Sequence, residues 1–198
     1  MFDEDLRICF VGDSFVAGTN DPECLGWAGR LSALARHRGY NLTHYNLGIR
    51  GDTSGDIASR WHAEVACRLP KDCRPFVVFS FGVNDTTMEN GCRRVEEAQS
   101  IENTRHMLGT ARKRYSALLI GPPPIADMEQ NERVCRLSQV MGEVAAEEGV
   151  PFLPTFDSLI EDRVWMAEVS ADDGAHPRAA GYVELAARVD RWPAWWFK

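Results

Sequence analysis

The chain has 198 residues, of which 44% are hydrophobic and 26% charged, with a formal net charge of -7. These are ordinary globular values for a length that suits one domain, residues 1–198, with a sizeable core. The acidic balance offers no basic stripe for nucleic acid, because Arg93-Arg94 and Arg112-Lys113-Arg114 are short enough to be solvated helix ends, and no apolar run approaches the roughly 20 residues that cross a bilayer.

In chain order, the acidic opening Met1-Phe2-Asp3-Glu4-Asp5 leads straight into a strand over 6–11, so no secretory leader is expected and a cytoplasmic protein is the default. That strand runs into Gly12-Asp13-Ser14-Phe15. A serine hydroxyl is a weak nucleophile that reacts only when a rigid element aims it at a base. Ser14 stands where the strand ends, at the carboxyl edge of a sheet, where open α/β folds place their sites; Gly-Asp-Ser also makes an ordinary turn. A helix over 26–38 and a strand over 41–47 follow. Next comes Asn46-Leu47-Gly48-Ile49-Arg50-Gly51-Asp52-Thr53-Ser54, ahead of an amphipathic helix at 54–69. Glycine permits close backbone approach, so the Gly51 amide is a candidate oxyanion donor together with the Ser14 amide, while Thr53 or Ser54 caps the helix.

The strand at 75–82 carries Phe76, Val77, Val78, Phe79 and Phe81, too continuously apolar for a one-sided sheet and suited to a central parallel strand. It stops at Asn84, whose side-chain amide can donate to a developing oxyanion or build an Asx turn with Asp85, Thr86 and Thr87. Helices over 94–114 and 130–148 bracket a strand at 116–121 and the stiff run Gly121-Pro122-Pro123-Pro124, and a fifth strand lies at 150–154. The longest connections fall at 84–93 and 121–131. Asp173 precedes His176 by three residues, close enough to hold the imidazole Nδ1 proton and leave Nε2 to accept the serine proton; in a tighter loop Asp172 takes that place. Pro177 fits the first turn of a helix over 178–190. Strand and helix thus alternate, which predicts an α/β fold with a parallel sheet covered on both faces by right-handed crossovers.

Six cysteines, at 9, 24, 67, 73, 92 and 135, form no C-x-x-C pair and no Cys/His cluster, so reduced thiols and no metal are expected. A metal-dependent hydrolase built on Asp172, Asp173 and His176 lacks two further evident ligands. His37, His44, His62 and His106 lie away from the loops at the sheet edge and read as surface residues. Trp165 and Met166 are placed to touch a substrate, and the aromatic tail Trp192-Pro193-Ala194-Trp195-Trp196-Phe197 either packs back on the last helix, covers a cleft or forms a dimer contact.

Four blocks, Gly12-Asp13-Ser14-Phe15, Gly51-Asp52-Thr53-Ser54, Gly82-Val83-Asn84-Asp85 and Asp173-Gly174-Ala175-His176, stand in the order of the SGNH hydrolase superfamily, the GDSL-type esterases and lipases, which the chain resembles from Ile8 to about Tyr182. Phe15 replaces the usual leucine, and Gly48 is a rival to Gly51 for the glycine block. Val16 stands where the Gly-x-Ser-x-Gly elbow of the α/β-hydrolases needs glycine. The resemblance implies a flavodoxin-like three-layer α/β/α sandwich with a five-stranded, mostly parallel sheet and no metal or organic cofactor. It also implies ester hydrolysis through an acyl-serine. Ser14 would attack, His176 would act as base and then acid, and Asp173 would orient it. The Ser14 and Gly51 amides and the Asn84 side chain would hold the oxyanion. The implied partner is a small-molecule ester of a short acyl group, such as an acetylated carbohydrate, with a lysophospholipase or thioesterase as the rival and a homo-oligomer as a possible assembly. A non-catalytic flavodoxin-like binding module for an anion is the other class of function; Asp13, Asp52 and Asp85 in the same loops would repel such a ligand.

Overall fold

The computed structural model describes residues 4–198. Its elements begin with β1 (Leu6–Gly12), α1 (Ser14–Ala17), α2 (Gly26–His37), β2 (Leu42–Gly48), α3 (Ser54–Arg68) and β3 (Arg74–Ser80). A 3₁₀ turn at Asn84–Thr86 leads to a small hairpin of β4 (Met88–Glu89) and β5 (Cys92–Arg93), then α4 (Glu97–Ala111), β6 (Ser116–Ile120), α5 (Met128–Glu147) and β7 (Phe152–Leu153). The remaining helices are α6 (Phe156–Ile160), α7 (Arg163–Ala171) and α8 (Ala179–Arg191).

Alternate residues of each central strand face opposite layers, as the two-residue period of a pleated strand requires. Ile8, Phe10, Phe76, Val78, Leu118 and Ile120 join α2, α7 and α8 in one apolar cluster, whereas Cys9, Val11, Val77, Phe79 and Leu119 join α3, α4 and α5 in the other. The result is the expected sandwich of three layers. Its main sheet has the order β2-β1-β3-β6-β7 with every pair parallel. Leaving aside the hairpin strands, this is the flavodoxin-like order, and its switch point lies between β1 and β3, where the chain leaves the sheet in opposite directions.

Register sets what happens there. Gly12 pairs with Gly48 on one side and with Ser80 on the other, so three strands end level and their loops start from one row. Gly48 is fixed by packing: a Cβ there would lie 2.2 Å from the Ala17 amide nitrogen and 2.7 Å from the Asp13 carbonyl oxygen. The turn carrying the serine therefore rests on the bare backbone of β2.

Some details depart from expectation. Helices α6 and α7 and the hairpin fill stretches for which the residue pattern gave no element, and α8 begins at Ala179 after an Arg178 N-cap, leaving Pro177 outside the helix. The tail packs inward: Trp195 and Phe197 are buried in the cluster with Phe10 and Phe76, and Arg38 Nη1 donates to the Phe197 carbonyl at 2.8 Å. Among the described residues all six cysteines are free thiols, and no helix is long and apolar enough to cross a membrane.

Replacing Gly48 with alanine should cost about 3 kcal/mol, because backbone atoms rather than a flexible side chain meet the added methyl. Urea denaturation of Gly48→Ala beside wild type measures this; a loss below about 1 kcal/mol would show that the turn can move away.

Candidate active site

Ser14 opens α1 and is buried, with Asp13 as N-cap accepting from the Phe15 amide at 3.0 Å. Placing the serine at the first position of a helical turn leaves its own amide without an intrahelical partner. Its Oγ lies 2.6 Å from His176 Nε2, and His176 Nδ1 lies 2.7 Å from Asp173 Oδ2. Distant segments thus meet in one chain of hydrogen bonds, with the imidazole also packed against the Phe15 ring at a centroid distance of 4.8 Å.

The loop that carries the imidazole is held from several directions. Asp173 Oδ1 accepts from the Ala175 amide at 2.9 Å and the His176 amide at 2.8 Å. Partial burial acts to raise the Asp173 carboxyl, but those amides and the imidazole hold it well below the usual carboxylate range. The Gly174 carbonyl accepts from the Ala126 amide at 2.8 Å. Beyond the histidine, the Glu168 carboxylate accepts from the amides of Arg178, Ala180 and Gly181, satisfying donors at the start of α8. The imidazole takes Asp173 as its partner, while Asp172, the alternative orienting carboxylate, pairs with Arg178 at 3.9 Å.

The other two loops are joined to the first by side chains that residue spacing did not reveal. From α3, Arg60 donates to the Gly12 carbonyl at 2.9 Å and the Leu47 carbonyl at 3.0 Å while pairing with Asp52 at 2.7 Å. Asn84 is half-buried, and its Nδ2 donates to the Asp52 carbonyl at 2.9 Å, which commits one amide proton and leaves the second. Gly51 is exposed with φ +80, a left-handed conformation that suits glycine, and a Cβ there would meet nothing within 4 Å. Its carbonyl accepts from Arg94 Nη2 at 2.9 Å. Gly51 is therefore the open glycine of its loop and Gly48 the packed one. From α5, Gln130 and Arg133 hold the turn after Asn84 by donating to the Val83 and Thr86 carbonyls.

The expectation that Trp165 touches a substrate needs correction. Trp165 is fully buried, donating its indole N–H to the Pro124 carbonyl at 3.0 Å and stacking on Phe15, so it supports the site from below and does not face a substrate. Pro122, Pro123 and Pro124 are likewise buried. A groove of about 460 Å³ between α2 and α8, lined by Leu25, Leu34 and Val183, does not include Ser14, Gly51, Asn84, Asp173 or His176.

Beneath the serine lies a cluster of acids. Asp13 and Asp85 are each 1% exposed; Asp85 Oδ1 accepts from the Ser54 amide at 2.7 Å, while one oxygen of each carboxyl has no protein partner among the described residues. Burial, aided by the negative charges of Asp85 and Asp52, pushes the Asp13 carboxyl up to about 7. Burial also raises Asp85, against the charge of Arg94.

A serine, an imidazole and a carboxylate in hydrogen-bonded series at the switch point of an α/β sandwich can transfer a proton and form a covalent bond in one motion, which is the equipment of a hydrolase. Residues 10–183 match the model of the GDSL-like lipase/acylhydrolase family. The chain belongs to that family and is a carboxylic ester hydrolase. It is 29% identical to the esterase TesA of Pseudomonas aeruginosa over 183 residues, covering 92% of this chain and 84% of that protein. The lipase/acylhydrolase of Enterococcus faecalis superposes with a TM-score of 0.76 at 26% identity over 94% of each chain. The acetylxylan esterase Axe2 of Geobacillus stearothermophilus shares the fold, with a TM-score of 0.78 at 19% identity over 95% of this chain and 94% of its own.

A raised carboxyl binds its proton more tightly in the folded than in the unfolded chain, so its contribution to stability falls as pH climbs from near 4 toward and through 7. The neutral, isosteric Asp13→Asn should therefore gain on wild type by about 2 kcal/mol between pH 5 and pH 9. Denaturation midpoints for both proteins at the two pH values measure it, and a constant difference would mean that Asp13 is ionised throughout.

Proposed function

We propose that this enzyme cleaves esters through an acyl-serine intermediate formed on Ser14. The observation that carries the reading is the unbroken series Ser14 Oγ, His176 Nε2, His176 Nδ1, Asp173 Oδ2, with steps of 2.6 and 2.7 Å at its two hydrogen bonds. As Oγ attacks the ester carbonyl, its proton passes to Nε2, and the imidazolium so formed is stabilised by the Asp173 carboxylate, which keeps its charge. The carbonyl oxygen, now negative, receives the Ser14 and Gly51 amides and the uncommitted Nδ2 proton of Asn84. When the tetrahedral species collapses, Nε2 returns the proton to the departing alcohol. Water then attacks acyl-Ser14 with the same histidine as base, releasing the acid and restoring the hydroxyl.

For the substrate, we infer short acyl esters, with acetylated carbohydrates as the first class to test. The side of the imidazole is filled by Phe15, itself backed by the buried Trp165, an arrangement that supports a small acyl group over a long chain. The acetylxylan esterase among the proteins of like fold supports the same choice.

Turnover of p-nitrophenyl esters should fall with acyl length from acetate to decanoate, and Ser14→Ala should abolish it. Peak turnover at decanoate would sink the short-acyl reading, and undiminished turnover by Ser14→Ala would remove this serine from the chemistry. Among the other groups, Asp173→Asn should lose about ten-thousandfold in kcat and Asn84→Ala about a hundredfold or more. Asp172→Asn, whose carboxylate pairs with Arg178, should stay within about twofold of wild type.

A further inference from the structure

The turn between α1 and α2 contains a polar side chain that neither the four sequence blocks nor the mechanism above employs. Asn20 Nδ2 donates to Asp173 Oδ2 at 3.0 Å, the same oxygen that receives His176 Nδ1 at 2.7 Å. Together with the two backbone amides on Oδ1, this brings four donors onto one carboxylate, about its full complement of lone pairs. Three of them come from the carboxylate's own loop. Asn20 reaches it from the serine's side of the molecule.

The backbone around Asn20 is shaped for that reach. Asn20 adopts φ +67, a left-handed conformation that asparagine tolerates better than other residues with side chains. Its neighbours are fixed on both sides. The Thr19 carbonyl accepts from Tyr182 Oη of α8 at 2.8 Å, and the Thr19 amide donates to the Ser14 carbonyl at 3.1 Å. Asp21 is buried, accepts from the amides of Glu23, Leu25 and Gly26, and pairs with Arg30. A turn so firmly tied aims the Asn20 side chain in a set direction.

We infer that Asn20 is a positioning residue for Asp173, bracing the carboxylate and through it the imidazole during the half of the reaction when the serine cannot. This rests on the esterase reading. In the free enzyme two hydrogen bonds hold the imidazole in line, one from Ser14 and one to Asp173. Acylation consumes the serine hydroxyl and removes the first. His176 must then accept a proton from water with only Asp173 to orient it, and Asn20 is what links Asp173 to the strand-end loop bearing the acyl group. Its removal slows deacylation, so kcat and KM fall together while kcat/KM changes less. The other charges beside this carboxylate, Asp172 and the Arg178 that faces it, belong to the carboxylate's own loop and the start of α8, and the Asn20 variants leave them in place.

Asn20→Gly tests this cleanly, because glycine accepts the left-handed backbone and deletes only the amide. Its melting temperature should stay within about 2 °C of wild type, and its kcat should fall about fivefold to tenfold, the low end for a partly exposed hydrogen bond to a charged group, with KM falling in step so that kcat/KM near neutral pH stays within about twofold. The acid limb of its kcat/KM profile should move to higher pH, since a carboxylate that loses a donor stabilises the imidazolium more strongly. Asn20→Asp, which sets a second negative charge against Asp173, should move that limb further and lose more kcat. The Nδ1 proton resonance of His176, read by NMR without substrate, should shift in both variants. Wild-type kcat with an unmoved limb in Asn20→Gly, or a loss that merely follows a lowered melting temperature, overturns the inference. If wild type hydrolyses no ester, the esterase reading fails by itself, and an unmoved Nδ1 proton in Asn20→Gly remains the result that overturns this one.

Discussion

Everything at the active edge depends on three parallel strands ending level. Because Gly12, Gly48 and Ser80 share one row of the sheet, the loops after β1, β2 and β3 emerge side by side, and the switch of direction between β1 and β3 opens a crevice there. Ser14, Gly51 and Asn84 are the residues those loops bring to it. A slip of one residue in any pair would turn each strand's side chains to the opposite layer, so burial of both faces protects the register on which the chemistry relies. The imidazole comes from much further along the chain, and its loop is fastened to the sheet's edge by Ala126, Glu168 and Asn20 rather than by strand pairing.

Electrostatics in this edge are divided by role. The carboxylate that must stay charged, Asp173, is partly exposed and surrounded by donors that favour its ionised form. The carboxyls that shape the loops, Asp13 and Asp85, are buried and short of partners, and burial drives them toward the neutral form. Arg60 offsets part of this acidity: from α3 it joins the strand ends of β1 and β2 to Asp52.

How much of this could be read from residues alone differs between the parts. The sheet was legible because each central strand is apolar on both faces and each surface helix is amphipathic, and these periods survive in one dimension. Ser14, His176 and Asp173, the proposed nucleophile, base and orienting carboxylate, stand out as short blocks, although only coordinates show that Asp173 rather than Asp172 meets the imidazole. What escaped was the scaffolding around them. Arg94 read as part of a solvated helix end, and Arg60 and Glu168 drew no reading, since a side chain that folds back onto distant backbone has no periodic trace. Asn20 lay in a run, Thr19-Asn20-Asp21-Pro22, that announces a turn but not its target. Trp165 was misplaced because its neighbourhood in sequence, just ahead of the histidine loop, differs from its neighbourhood in space under Phe15. Helices α6 and α7 were missed as short segments in which caps and packing matter more than periodicity; α7, for instance, starts on the Asp162 cap.

The aromatic tail also bears on how the molecule folds. Trp195 and Phe197 complete the cluster that contains Phe10 of the first strand, so the layer formed by α2 and α8 closes only when segments far apart in the sequence meet. Contacts between such widely separated parts of a chain form slowly, since a very long loop must close before burial rewards it. Until that closure the β1 side of the layer stays uncovered, so the seating of Trp195 and Phe197 against Phe10 is a late step of folding.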